Sequence, residues 1–235
     1  MPYSMNCRVR YSETASDGCL SIPGLVNYFQ DCCTFHSEEA GVGYLREREK
    51  RRLWMLSAWQ IVIDRLPAMG EQIQVQTWAY EFSGFWGMRN FRLLDGQGCA
   101  AAWANSVWVF ADADTGKPVR IDEEEIAAYA VEEKLDMAYA PRKISIPGEG
   151  EPGQSFLVCL HHLDTNLHVN NGQYIQMARD YFPEDAAIHQ IRVEYRSQAR
   201  LNDRICPFIC RDGDRTVIDL QKENGGSWAV VELKS

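Results

Sequence analysis

The sequence predicts an α+β protein in which one arrangement, an apolar helix followed by an antiparallel meander, occurs twice in tandem. Three observations predict it. A helical pattern over 21–40 is apolar on most sides and is followed by strand-like segments rich in Trp, Val, Ile and Phe. A connection dense in Pro and Gly spans 141–153. Beyond it the same order of elements returns, and a helix that apolar needs a sheet to wrap it in each copy.

The first copy, expected over 1–135, opens with an extended segment starting near residues 9–11. Ser21 supplies an N-cap and Pro23 suits the first helical turn. Leu25, Val26, Phe29, Cys33, His36 and Ala40 form one stripe that Tyr28, Cys32 and Phe35 widen, so the helix should be buried on most sides until Gly41 and Gly43 end it. A short second helix and loop should carry 46–52. Strands are predicted over 53–65, 72–82, 87–94 and 99–111, with turns at Asp95-Gly96 and Asp114-Thr115-Gly116. An acidic helix is predicted over 122–134.

A linker over 136–153 separates this copy from a second, expected over 154–235. There a strand is predicted over 156–161, a helix from Asn171, and strands over 190–198, 204–211, 215–222 and 227–233, punctuated by Asp212-Gly213 and Asn224-Gly225. Aligning the two helices through Tyr28 and Tyr174 sets Gly18, Leu20 and Ile22 opposite Asp164, Asn166 and His168.

Composition narrows the function classes. With 235 residues and 46% hydrophobic content the chain can bury a substantial core. Residues 1–12 contain no apolar signal-like run, and nowhere is there a membrane-spanning stretch of about 20 apolar residues, so a cytoplasmic protein with no membrane partner is expected. The eight cysteines are scattered, with no zinc-like spacing, which favours buried thiols and predicts no metal. A formal net charge of −9 argues against a nucleic-acid partner.

Chemistry concentrates in Asp164-Thr165-Asn166-Leu167-His168-Val169-Asn170-Asn171-Gly172. In extended backbone Asp164, Asn166 and His168 would share one face while Leu163, Thr165 and Leu167 turn away. Tyr174, Ile175, Ala178 and Tyr181 then recur at helical spacing, with Asn170 or Asn171 as N-cap and Pro183 as stop. The polar trio would therefore lie against a helix N-terminus, where Asn170, Asn171 and Gly172 favour a developing negative charge. His168 is the natural proton-transfer group, Asp164 its orienting carboxylate, and Asn166 a handle for water or substrate. Asn, Asp and Gly also build ordinary loops and caps, which explains the asparagines but not a carboxylate and an imidazole in register.

The run Asp164-x-Asn166-x-His168-Val169-Asn170-Asn171, followed by a tyrosine and a short helix, resembles the catalytic segment of plant-type and bacterial acyl-acyl carrier protein thioesterases. Similarity extends to Leu53-Trp54-Met55-Leu56-Ser57-Ala58-Trp59-Gln60, to Thr77-Trp78 through Gly87-Met88-Arg89, and to Glu194-Tyr195-Arg196. The resemblance implies two tandem hotdog units, with chemistry in the second and the first shaping an acyl pocket. It implies hydrolysis of fatty acyl-acyl carrier protein, an acidic carrier with its acyl-phosphopantetheine as partner, no cofactor, and a monomeric pseudo-dimer or a homodimer.

Where plant members carry a Glu-Cys pair on the late catalytic strand, this chain has Gln198-Ala199, so Gln198 is assigned a positioning role and no thiol is available there. No Gly-x-Ser-x-Gly elbow exists either, and water-mediated hydrolysis by Asp164, Asn166, His168 and Gln198 is expected. Arg46, Arg48, Arg51 and Arg52 lie in the clearest cationic run of an acidic chain and are the expected carrier-docking residues, although such runs are often plain solvated surface. The competing readings are hydrolysis of acyl-coenzyme A, hydroxyacyl dehydration, and an acyl-binding module without turnover.

Overall fold

The computed structural model describes residues 1–183 and 186–235, which divide into two compact units: Met1–Ser57 with Ile63–Tyr139, and Ala58–Val62 with Ala140–Ser235. The predicted α+β class holds for both. The five-residue piece of strand that groups with the second unit is a feature that no linear reading of the chain anticipates.

In the first unit, β1 (Tyr3–Arg8), β3 (Gln72–Ser83), β4 (Trp86–Asp95), β5 (Ala100–Asp112) and β2 (Arg52–Ile63) follow one another across the sheet. The β3–β4 and β4–β5 ladders are antiparallel, with Thr77 opposite Phe91 and Phe91 opposite Ala104. Helix α1 (Ile22–Glu39) packs on β3 and β1. Its start is built as the sequence indicates: Ser21 Oγ accepts from Gly24 N–H at 3.1 Å, and Pro23 sits in the first turn where no N–H is needed. Gly24 lets the helix start pack closely, since a Cβ there would lie 2.8 Å from Leu20 Cδ1 and 3.0 Å from Glu13 O. Leu25, Val26, Tyr28, Phe29, Cys32 and Cys33 are buried. Phe35 is not: at 48% exposure it faces away from the sheet, so the helix is amphipathic rather than enclosed.

The remaining helices of this unit are α2 (Tyr44–Lys50) and α3 (Glu123–Ala128). Asp122 caps α3 by accepting from Glu125 N–H at 2.7 Å. The acidic helix expected to reach residue 134 stops at Ala128 because Tyr129 turns extended and buries its ring, its hydroxyl 2.8 Å from Ser37 Oγ. His36 belongs to this packing. Its Nδ1 lies 2.8 Å from Arg89 Nη1, its ring is stacked on Tyr3, and burial followed by Arg89 pushes its pKa down to about 4.

In the second unit the Ala58–Val62 piece of β2 pairs antiparallel with β8 (Gln190–Tyr195), followed by β11 (Ser227–Lys234), β10 (Arg215–Gln221) and β9 (Arg204–Asp212). Two short strands, β6 (Glu151–Pro152) and β7 (Phe156–Leu157), pair with β9. Thus β6 lies inside the segment 136–153 that reads as a linker. Helix α4 (Asn171–Arg179) packs on β11 and β10, burying Tyr174, Ile175, Met177 and Ala178.

Three expected elements are shorter than their patterns. The strand predicted over 156–161 shrinks to β7 and is followed by a 3-10 turn at Leu160–His162, closed when His162 Nδ1 accepts from Cys159 N–H at 3.0 Å. His161 and His162 therefore stand on this turn, their ring centroids 4.2 Å apart. Helix α4 ends before Tyr181, and β8 ends at Tyr195, well short of Gln198.

Candidate active site

The segment 163–170 is a tight turn, not the extended strand that would align three polar side chains. Leu163 and Val169 form an antiparallel bridge, Asp164 N–H donates to His168 O at 2.8 Å, and Leu167 N–H donates to Asp164 O at 3.1 Å. Leu167 takes the left-handed conformation at φ 60 that closes the turn. The Asp164 side chain braces it. Its Oδ1 accepts from Asn166 N–H at 2.8 Å and His168 N–H at 3.2 Å, the local carboxylate-to-backbone bonding that competes with strand structure.

The turn separates the trio. Asp164 and His168 remain together, half-buried, across its base, while Asn166 is exposed at its tip. The turn leads directly into α4. Asn170 is the cap: its Oδ1 accepts from Gly172 N–H at 2.8 Å and its backbone oxygen from Gln173 N–H at 2.9 Å. Asn171 O accepts from the Tyr195 hydroxyl at 3.0 Å, and Gly172 is buried. Gln198 lies exposed beyond the end of β8, so it cannot share a strand face with Glu194.

A second backbone segment, 196–203, runs alongside. Val169 N–H donates to Ala199 O at 2.9 Å, and Ala199 N–H donates to the Tyr174 hydroxyl at 2.9 Å. This brings Arg200 to His168, where Nε donates to the imidazole Nε2 at 3.2 Å. Burial and then the Arg200 charge hold His168 below its ordinary pKa, with Asp164 opposing them. The imidazole is consequently neutral at neutral pH, as a base must be. No motif in the sequence pointed to Arg200, and the turn chemistry of Asn202-Asp203 was its nearest signal.

Glu194 is occupied elsewhere. It is buried and accepts from Arg196 Nη2 at 3.0 Å and Ile144 N–H at 3.1 Å, with Arg142 at 3.9 Å. Burial raises its pKa, but Arg196, the Ile144 amide and Arg142 outweigh that and keep it ionised.

The cationic run folds onto the chain's own carboxylates. Arg46 pairs with Glu124, Lys50 with Glu124 at 2.7 Å, Arg51 with Asp114 and Arg52 with Asp112 at 2.6 Å. Arg48, exposed, instead lies over the Tyr44 ring at 5.6 Å. Among the described residues no group of His, Cys, Asp and Glu is arranged to hold a metal ion, and no helix is long and apolar enough to cross a membrane.

Residues 1–129 match the family model described as acyl-ACP thioesterase N-terminal domain, and 150–225 match the corresponding C-terminal domain. The palmitoyl-acyl carrier protein thioesterase of Gossypium hirsutum is 30% identical over 217 residues, covering 83% of this chain and 52% of that protein. The chain thus spans about half the length of such plant relatives. An acyl-ACP thioesterase from Bacteroides thetaiotaomicron has a similar structure, with a TM-score of 0.90 at 22% identity over 98% of this chain and 96% of that one. The 12:0-ACP thioesterase from Umbellularia californica superposes with a TM-score of 0.83 at 20% identity, covering 99% and 96%. These likenesses establish the fold, and each unit is of the hotdog type.

Proposed function

The chain belongs to the acyl-ACP thioesterase family, and from that premise we propose that it hydrolyses the thioester of fatty acyl-acyl carrier protein, releasing free fatty acid and ending elongation of that chain. The observation that carries this reading is a neutral, half-buried His168 joined to Asp164 through one turn at the start of α4.

In the proposed reaction His168 takes a proton from water as its oxygen attacks the thioester carbonyl, and returns it to the departing thiol. Asp164 holds the turn and supports the imidazolium that forms. The N-terminus of α4, at Asn170, Asn171 and Gly172, favours the negative charge on the carbonyl oxygen, while Asn166 and Gln198 position water or substrate. The carrier is proposed to dock through the α2 region, where Arg48 offers the charge that Arg46, Arg51 and Arg52 spend largely on internal partners. A cytoplasmic setting is part of the same proposal.

The test is incubation of the purified chain with matched acyl carrier protein and coenzyme A thioesters. Free fatty acid released faster from the carrier is the expected result. Preference for coenzyme A would move the substrate class, an enoyl product would indicate dehydration, and binding without turnover would leave an acyl-binding module.

A further inference from the structure

Arg200 is fixed by its backbone on every side. Its N–H donates to Asp203 Oδ2 at 2.7 Å, and Asp203 N–H returns to Arg200 O at 3.0 Å. Asn202, left-handed at φ 68, donates to Val158 O at 3.0 Å, and Val158 N–H donates to Asp203 O at 2.9 Å. Ala199, just before it, is tied to Val169 and Tyr174. From this frame the guanidinium reaches His168 Nε2. The bond has a chemical consequence. Nε2 is the acceptor, so neutral His168 carries its proton on Nδ1, and the lone pair a base would use is already engaged.

The first unit provides an internal control. There Ala68 N–H donates to the Glu71 carboxylate at 3.0 Å, Glu71 N–H returns to Ala68 O at 3.0 Å, and Gly70 is left-handed at φ 83. The frame is the same, and it brings Cys19 against Ala68. Ala15, Cys19 and Ala68 thus stand where the second unit has Asp164, His168 and Arg200. Building this turn requires no arginine. The cation accompanies the imidazole and is missing where the imidazole is missing.

We propose that Arg200 is the electrostatic partner of the reaction at His168: its guanidinium leaves Nε2 for the carbonyl oxygen of a bound thioester, freeing the base and placing a cation where negative charge develops. This rests on the thioesterase reading above. As the water oxygen bonds to the carbonyl carbon, a water proton passes to Nε2 and the carbonyl electron pair moves onto the oxygen facing Arg200. The C–S bond then breaks, the pair returns to form the acid, and the thiolate takes the proton back from His168. An oxyanion is a stronger acceptor for guanidinium than a neutral imidazole, so the exchange becomes more favourable as charge builds. The same contact would hold the product carboxylate.

Among the described residues, the charged groups that act on His168 are Arg200 from 196–203 and Asp164 from its own turn. Helix α4 contributes Tyr174, whose burial pushes its pKa up to about 12, so it stays neutral.

The test compares the wild-type chain with Arg200→Ala and Arg200→Lys, using lauroyl-acyl carrier protein as substrate and laurate as inhibitor. Arg200→Ala should lower kcat about 10²-fold with KM changed by less than about threefold, as for a lost oxyanion donor, and Lys should recover part of the loss. Laurate inhibition should weaken. The acid limb of kcat/KM should move to higher pH, because a cation that holds the imidazole deprotonated has gone. Unchanged kcat overturns the proposal, as does a loss of kcat with laurate inhibition and the acid limb both unmoved. If the wild type hydrolyses no thioester, the hydrolase reading fails by itself, and an NMR titration of His168 with a laurate binding isotherm still judges Arg200. Identical His168 pKa and laurate affinity in wild type and Arg200→Ala would then overturn its assignment as the anion-binding cation.

Discussion

The turn that leads into α1 and the turn that leads into α4 are the same object built from different residues. Thr14 bridges Leu20 as Leu163 bridges Val169. Ala15 N–H donates to Cys19 O as Asp164 N–H donates to His168 O, both at 2.8 Å. Gly18 and Leu167 are both left-handed, and Ser21 and Asn170 both cap the helix that follows. A 3-10 turn precedes each, closed by Glu13 in one and by His162 in the other. This correspondence replaces the alignment through Tyr28 and Tyr174. Ala15, Asp17 and Cys19, not Gly18, Leu20 and Ile22, stand opposite Asp164, Asn166 and His168.

Where the two turns differ, residues that serve the backbone separate from those that do not. Both turns need a carboxylate to gather an amide: Asp17 Oδ1 accepts from Cys19 N–H at 2.9 Å, and Asp164 Oδ1 accepts from His168 N–H. A carboxylate at this turn is therefore partly a folding device. The imidazole and the guanidinium have no counterpart in the first copy, where Cys19 and Ala68 occupy their places and the frame is intact.

The largest effect is expected when the second turn is converted toward the first. His168→Cys places the first copy's residue in an equivalent frame, so the fold should survive while kcat on the best thioester falls at least about 10²-fold, the usual worth of a positioned acid–base group. Thermal melting and steady-state hydrolysis measured together decide it. A folded variant that keeps its turnover would remove His168 from the chemistry.

Asp164 divides its two roles between two variants. Asp164→Asn retains an oxygen for the Asn166 and His168 amides, so the turn should hold and kcat should drop about tenfold from lost charge alone. Asp164→Ala loses the acceptor too and should cost about 1 kcal/mol more of stability, like a removed cap. The pH profile carries a sign. Asp164 raises the pKa of His168, so Asp164→Asn should move the acid limb of kcat/KM to lower pH, opposite to the shift expected for Arg200→Ala. Equal stability of the Asn and Ala variants would show that the turn does not depend on this side chain.

The strands β2 to β5 and β9 to β11 and the helix caps were legible because they rest on local rules: alternation, Ser21 with Pro23, Asn170, and Asp-Gly or Asn-Gly turns. The 163–170 turn was legible in composition but not in shape. Alternating polar residues mimic a strand, and only the bonds from Asp164 Oδ1 to two amides reveal a turn. Arg200 was illegible, since its meaning comes from a backbone pairing between Val169 and Ala199 that no local pattern encodes. The partners of the cationic run were illegible for a related reason. Four of its cations meet carboxylates at 112, 114 and 124, distant in sequence.

That pairing sets a smaller expectation. Arg48→Glu should lower kcat/KM for carrier-bound substrate by about threefold at low salt and leave coenzyme A thioesters unaffected, because one exposed charge mainly steers encounter. Measuring both substrates across ionic strength separates steering from fold damage. If the carrier-bound substrate is unaffected at low salt, docking lies away from α2.

The smallest effect is the most specific to the repeat. Gly18 and Leu167 occupy one backbone position, but at φ 60 an L-residue bears a penalty of roughly 1–2 kcal/mol that glycine escapes. Glycine in turn loses about 0.5–1 kcal/mol through the freedom of its unfolded state. Leu167 is 70% exposed, so its removal forfeits little apolar burial. Leu167→Gly should therefore stabilise the chain by about 0.5 kcal/mol, a rise of roughly 1–2 °C in Tm for a protein of this size. Gly18→Leu should cost about 0.5 kcal/mol by the same argument reversed. Activity adds a second readout. If an exposed leucine beside His168 is kept against backbone strain because it contacts the acyl chain, Leu167→Gly will raise KM for long acyl groups more than for short ones. A fall in Tm in the Leu167→Gly variant would instead mean that the leucine is held by packing, and that the two turns are less alike than their hydrogen bonds indicate.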